Sequence, residues 1–314
     1  FRLMKHSKGD LRVAMKEAEQ AVAGVSWVKR KKTPKLYAVG GAWRAIARIN
    51  MQVRKHPLSV LHHYEAPAHQ VIEACDLVAR QSRSSLEETP GVSSRRVDTL
   101  PFAALVLKVL MIEAECERLI VSAGGLREGL LYDALPENVR RADPLIAGAR
   151  YLGRRFSPEA CMGEAVAALT DALFLDETPA QRRLRHAACL MTDTGAYFHP
   201  DLRGVQAFDT ALRAPFYGVA HSERAAIALS LFCRHEGANE VFPEPAILAM
   251  LTEEARRRAV QLGLALRFAS ALAPKAPEAI DACRLAPVSD RLQFTAPSRL
   301  RPLMDETAKR RFDA

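Results

Sequence analysis

Two stretches place glycines, an arginine and polar groups where a strand-like run gives way to a helix-forming one. In the first, Leu36-Tyr37-Ala38-Val39 runs into Gly40-Gly41 and then into helix formers from Ala42 to Met51, with Arg44 one turn in. In the second, Arg118-Leu119-Ile120-Val121-Ser122 meets Ala123-Gly124-Gly125 and continues as Leu126 to Ala134, with Arg127 and Glu128 in the first turn. A backbone without Cβ atoms lets a ligand come close at such a turn. The helix that follows offers unpaired N–H groups and a partial positive charge to an anion. Arg44 and Arg127 add guanidinium forks suited to phosphoryl oxygens, Ser122 adds a hydroxyl, and Glu128 either caps its helix or orients the arginine. One Gly-Gly after a strand is more often only a tight turn. Two of them at strand ends in one sheet can converge on one ligand. Gly40, Gly41, Arg44, Ser122, Gly124, Gly125 and Arg127 therefore form the candidate phosphate- or nucleotide-binding set.

The elements that must position these residues follow from periodicity. Two strand–turn–helix units imply a parallel or mixed α/β sheet. An amphipathic helix is expected over Asp10 to Val25, with further helices at roughly 68–81 and 99–115 and a Pro90-Gly91 turn between these two. After Pro136 strand-like runs largely disappear. Segments near 143–155, 157–174, 178–192, 221–235, 245–259 and 261–272 all carry apolar residues three to four apart. The tail from Ala286 is basic and contains prolines, with one short strand expected at Leu292 to Thr295. The reading is α/β plus all-α, with an α/β part over 1–136 and a helical part over 137–314.

Length and composition agree with two soluble domains: 314 residues, 49% hydrophobic and 26% charged. The most apolar run, Leu100 to Ile112, is interrupted by Lys108 and falls short of the roughly 20 residues a membrane span needs. Six cysteines stand singly with no C-x-x-C pair, which argues against a zinc knuckle or a disulfide framework and for a reducing cytoplasm. The start at Phe1, without a signal-peptide layout, reads as a fragment or processed product. The net charge of +9 favours anionic partners. The basic runs Lys29 to Lys32 and Arg256 to Arg258 are read as solvated faces. With 6% aromatic residues there is little material for base stacking, so nucleic acid is not an expected partner.

Three stretches, Ala38-Val39-Gly40-Gly41-Ala42-Trp43-Arg44-Ala45-Ile46-Ala47-Arg48, Val97-Asp98-Thr99-Leu100-Pro101, and Val121 through Leu131, together resemble the exopolyphosphatase and guanosine-pentaphosphatase family (Ppx/GppA). The resemblance covers nearly all of 1–136, and the helical half is similar to the domain that follows in longer members. It implies a partial actin-like (sugar kinase/heat-shock type) ATPase domain, here the C-terminal part of the second such domain, followed by an HD-like α-helical domain. It implies a cytoplasmic phosphatase in which water, assisted by Mg²⁺, attacks terminal phosphates of inorganic polyphosphate or of guanosine pentaphosphate. The Gly40-Gly41 turn then corresponds to the family's adenosine-type motif, and Arg127 to an arginine lining a cleft between domains. Members also carry an Asp-x-Gly-Ser phosphate loop, and this sequence has none. The expectation is that the catalytic base and the metal-holding carboxylates lie outside this chain. No catalytic and no metal-ligating residue is assigned within it, and a non-catalytic polyphosphate- or alarmone-binding module stands as the alternative.

In the helical half, His186 through Gly195 resembles the helix of HD-type phosphohydrolases, with Thr192 where the metal-binding histidine of the His-Asp pair would stand. Threonine is a poor ligand for a divalent metal, so Asp193 is read as a structural group. His199 to Gly204 and Ala220 to Ala226 are similar to further stretches of that domain. Arg203 and Arg224 are on this reading candidate polyphosphate-guiding groups, with structural salt bridging the commoner role. A homodimer through this half is left open.

Overall fold

The computed structural model describes residues 2–26, 28, 34–157, 162–238, 241–289 and 291–314. The basic run at 29–32, the amino-terminal Phe1 and Cys161 lie outside the described residues. The chain divides into two compact units, Phe1–Arg140 and Arg141–Ala314, each described by itself.

The first unit is built on a three-stranded sheet ordered β1-β3-β2, where β1 is Lys35–Ala38, β2 is Glu65–Pro67 and β3 is Arg118–Val121. β1 and β3 run parallel with Ala38 opposite Val121, whereas β2 runs antiparallel to β3. The sheet is thus mixed. β2 is an addition that periodicity does not reveal, because Glu65-Ala66-Pro67 is too short to alternate and ends in a proline, which only an edge strand tolerates. The helices Gly41–Val53, Ala68–Arg80 and Leu100–Glu113 are amphipathic or apolar and bury Ile46, Ile49, Val71, Val78, Leu100 and Leu107 with Leu119 and Val121 of the sheet in one core. Trp43 donates its ring N–H to the Ala103 carbonyl at 3.3 Å, fixing the helix after the first glycine turn against Leu100–Glu113.

The second unit is helical apart from one hairpin, β4 (Arg284–Val288) with β5 (Arg291–Thr295). The sequence predicts only the second of these strands, since Pro287 disguises the first. Two helices predicted at 245–259 and 261–272 are instead a short turn at Pro245–Leu248 and one long helix, Glu253–Leu272. The break falls at Thr252, whose hydroxyl accepts the Ala255 N–H at 3.2 Å as an N-cap. Arg203–Arg213 forms a further helix, and His221–Glu236 packs between it and Glu253–Leu272. Gly263 permits that last contact: a Cβ there would lie 2.4 Å from the Cβ of Cys233 and 2.6 Å from the Ser230 carbonyl oxygen. Among the described residues no helix is long and apolar enough to cross a membrane, and the five described cysteines are free and buried.

Candidate functional site

The two glycine turns lie side by side. Parallel pairing in register carries β1 and β3 to the same edge of the sheet, and the N–H of Ser122 extends the ladder by donating to the Ala38 carbonyl at 2.9 Å. Gly40 caps the Gly41–Val53 helix with φ 116° and ψ 156°, a backbone region that is essentially glycine-only. The first helical hydrogen bond is Arg44 N–H to the Gly40 carbonyl, so the amides of Gly41, Ala42 and Trp43 precede it at the positive end of the helix.

Arg44 joins the two turns. Its Nη1 donates to the Ala123 carbonyl at 3.1 Å and its Nε to the Gly40 carbonyl at 3.3 Å. It is therefore first a brace, with part of its guanidinium left to face a ligand.

The second turn is more occupied than its sequence suggests. The Ser122 hydroxyl donates to the Gly124 carbonyl at 3.0 Å, and the Ala123 N–H donates to Nδ1 of His62 at 3.0 Å. The Gly125 N–H donates to the Glu128 carboxylate at 2.7 Å, a bond that holds this carboxyl below the usual carboxylate range. Glu128 is thus a helix cap. Gly125 is extended, with φ −137°, and needs no special backbone freedom. Arg127 stands exposed on the first turn of Leu126–Asp133. Of the seven candidate residues, the structure brings Gly40, Gly41, Arg44, Ser122, Gly124 and Gly125 into one pair of turns and leaves Arg127 at their solvent side.

Three residues that sequence reasoning passed over complete the arrangement. Beside the first turn is a cavity of about 190 Å³ lined by Gly41, Arg44, Ala45, Arg48, Leu61, Gly91 and Arg96, with three guanidinium groups and no acid among the described residues of its wall. Arg48 is one helical turn beyond Arg44 on the same face, a spacing readable in the sequence. Arg96 comes from the 3₁₀ segment Ser94–Thr99, where Thr99 donates its hydroxyl to the Arg96 carbonyl at 3.1 Å and buried Val97 anchors the backbone. Nothing local announces its arrival at Gly41. His62, from the segment before β2, braces the second turn through its Nδ1.

The guiding groups proposed for the helical half fare differently. Arg224 is 1% exposed. Its guanidinium donates to the carbonyls of Ala214 at 2.5 Å and Phe216 at 2.7 Å and lies over the Phe216 ring, and burial pulls its pKa down to about 10. A passing polyanion cannot reach it, and the guiding role expected for Arg224 is withdrawn. Arg203 is half-buried and donates to the Phe198 carbonyl at 3.1 Å. Asp193 is buried, which raises its pKa, and the Arg234 guanidinium lies 3.8 Å from its carboxylate. Among the described residues no three His, Cys, Asp or Glu side chains are grouped to hold a metal.

These features, an α/β unit whose parallel strands end in paired glycine turns edged by arginines and a helical unit after it, define a class of protein with a turn suited to anionic ligands. Comparison with known proteins names it. Residues 4–138 match the Ppx/GppA phosphatase family and residues 162–314 match the exopolyphosphatase C-terminal family. The chain belongs to the Ppx/GppA phosphatase family. It is also similar to Retrograde regulation protein 2 of Saccharomyces cerevisiae, 29% identical over 162 residues that make up 46% of this chain and 25% of that protein. The alignment thus spans about a quarter of that relative's length.

Proposed function

We infer that this chain supplies the phosphate-gripping part of a hydrolase acting on the terminal phosphates of inorganic polyphosphate, on an actin-like domain remnant followed by an HD-like helical domain. The observation that carries the reading is the acid-free cavity at Gly41, where Arg44, Arg48 and Arg96 converge beside the free end of a helix. Such a site places positive charge around equatorial phosphoryl oxygens and fixes the chain for in-line attack by water. Gly40 and Gly41 let the backbone approach, Arg44 ties the turns while facing the ligand, and Arg127 closes from the solvent side.

A Mg²⁺ ion, which the family implies, would neutralise charge on the phosphates, but the residues at these turns do not suit it. Arginines line the cavity, Glu128 is spent on the Gly125 amide, and Asp98, two residues from Arg96, is paired with Arg83. No step is assigned to the ion here. The water-activating base is likewise placed outside this chain. Guanosine pentaphosphate is the second reading, since the same arginines suit its phosphates. Among the described residues, the cavity and its neighbour, lined by Arg48, Met51, Gln52, Lys55, His56, Ser59, Pro90 and Gly91, offer no Phe, Tyr or Trp on which a guanine would stack, which favours the inorganic chain.

The test is phosphate release from polyphosphate and from guanosine pentaphosphate at matched Mg²⁺, by this chain and by the full-length protein. Release from polyphosphate by the full-length protein only is expected. Turnover by the isolated chain would refute the placement of the base, and preference for the nucleotide would favour the second reading.

A further inference from the structure

The cavity at Gly41 adjoins a second one, of about 370 Å³, and Arg48 and Gly91 line both. Gly91 has φ 85°, and a Cβ there would stand 3.0 Å from Cδ of Arg48, so the bare turn leaves the arginine stem its room at the seam. Arg44, Arg48 and Gln52 follow one another along one face of Gly41–Val53, because positions four apart stack on a helix. From Arg44 to Gln52 the helical rise covers roughly 12 Å, and Lys55 stands just beyond the helix end.

The cations on these two walls differ from others in the same unit. Arg54 pairs with Glu73, Arg83 with Glu87 and Asp98, Lys108 with Asp76, and Arg118 with Glu65. Arg48, Lys55 and Arg96 meet no carboxylate among the described residues, all three are exposed, and no acid among those residues lines either cavity. Gln52 and Ser59 add neutral hydrogen-bonding groups to the second wall. His56 adds no charge there at neutral pH, because burial lowers its pKa. Unpaired positive charge repeated along a concave surface suits a ligand whose negative charge also repeats. One phosphate group would use only the end at Gly41.

We propose that the two cavities are one groove for a linear anionic chain, with Arg48 and Lys55 forming a distal phosphate subsite beyond the grip at Gly41. The inference rests on the polyphosphate reading of that grip and adds to it a determinant of chain length. The end of the chain sits where Arg44, Arg48 and Arg96 converge, and the phosphates behind it run along the exposed side of Gly41–Val53 towards Lys55. Arg48, at the seam, serves both parts. A ligand too short to reach Lys55 is held by the grip alone.

Binding titrations of the whole chain in low salt, with tripolyphosphate and with long-chain polyphosphate, test the groove. Lys55→Gln is expected to weaken the long chain at least about threefold, the scale of one exposed charge pair, and to leave tripolyphosphate unchanged. Arg96→Ala is expected to weaken both ligands. Arg12→Gln removes the same charge from an exposed position outside both walls, and should alter neither affinity. Unchanged long-chain affinity in Lys55→Gln, while Arg96→Ala still weakens tripolyphosphate, would overturn the distal subsite and leave the grip standing. Equal losses for both ligands in Lys55→Gln, or a loss in Arg12→Gln as large as that in Lys55→Gln, would overturn it as well, since net charge alone would then account for the effect. Indifference of both ligands to Arg96→Ala would overturn the grip and the groove together.

Discussion

The guanidinium of Arg96 lies against the backbone of Gly41, its Cζ 2.5 Å from the point a Cβ would occupy. Glycine at 41 is thus required less by backbone conformation than by a side chain from a distant segment. That contact delivers the third arginine to the cavity beside the helix N-terminus.

Gly41→Ala and Gly40→Ala are expected to separate binding from folding. The alanine methyl at 41 displaces only the tip of a flexible arginine, so thermal stability should change little while polyphosphate affinity falls severalfold. At Gly40 no atom lies within 4 Å of a new Cβ, but φ is 116°, and alanine there should cost about 1–3 kcal/mol through backbone strain. Thermal denaturation and a binding titration on both variants check the contrast.

Arg224→Ala should destabilise the helical unit by about 3 kcal/mol, because the carbonyls of Ala214 and Phe216 lose their donors inside the protein. Affinity for polyphosphate, measured on whatever fraction folds, should match the unaltered chain. Arg127→Ala should do the reverse, weakening affinity without moving the denaturation midpoint.

Much of this arrangement was legible in the sequence, and the reasons for the remainder are local. Both glycine turns were visible because apolar β-formers stop abruptly at glycines that precede helix formers. The pairing of β1 with β3 that sets the turns side by side rests on non-local register, which the repeat of the motif suggested but did not specify. Arg48 sits one turn from Arg44 and could have been read from helix geometry. Arg96 and His62 could not, since each reaches its turn from a separate segment. Arg224 looked like a surface cation because its burial depends on the Ala214 and Phe216 carbonyls of the loop before its helix.

His235 should make the helical unit acid-sensitive. Burial, reinforced by Arg234, lowers its pKa to about 3, and its Nε2 faces the Thr194 carbonyl at 2.8 Å. The unfolded chain therefore binds a proton near pH 6.5 that the folded chain refuses. Its contribution to stability is constant above that pH and shrinks on acidification towards pH 3, by at most about 1.4 kcal/mol per pH unit. Denaturant titrations between pH 7 and pH 4.5 should show this slope in the unaltered chain and a shallower one in His235→Gln.

Gly263→Ala should destabilise the contact between His221–Glu236 and Glu253–Leu272 by about 1–3 kcal/mol, because the new methyl meets the backbone at Ser230 and cannot be relieved by a rotamer change. A lowered midpoint in chemical denaturation, with polyphosphate affinity retained, is the expected result.

The most direct test of a phosphate grip built by three arginines on one glycine turn is the affinity of the chain for short-chain polyphosphate in low salt. It should be compared with that of Arg96→Ala and of the Arg48→Ala, Arg96→Ala double variant, with folding checked by circular dichroism. The account predicts stepwise weakening, severalfold for the first and more for the second, and convergence of all three as added salt screens the charges. Equal affinities in low salt among folded proteins would contradict it.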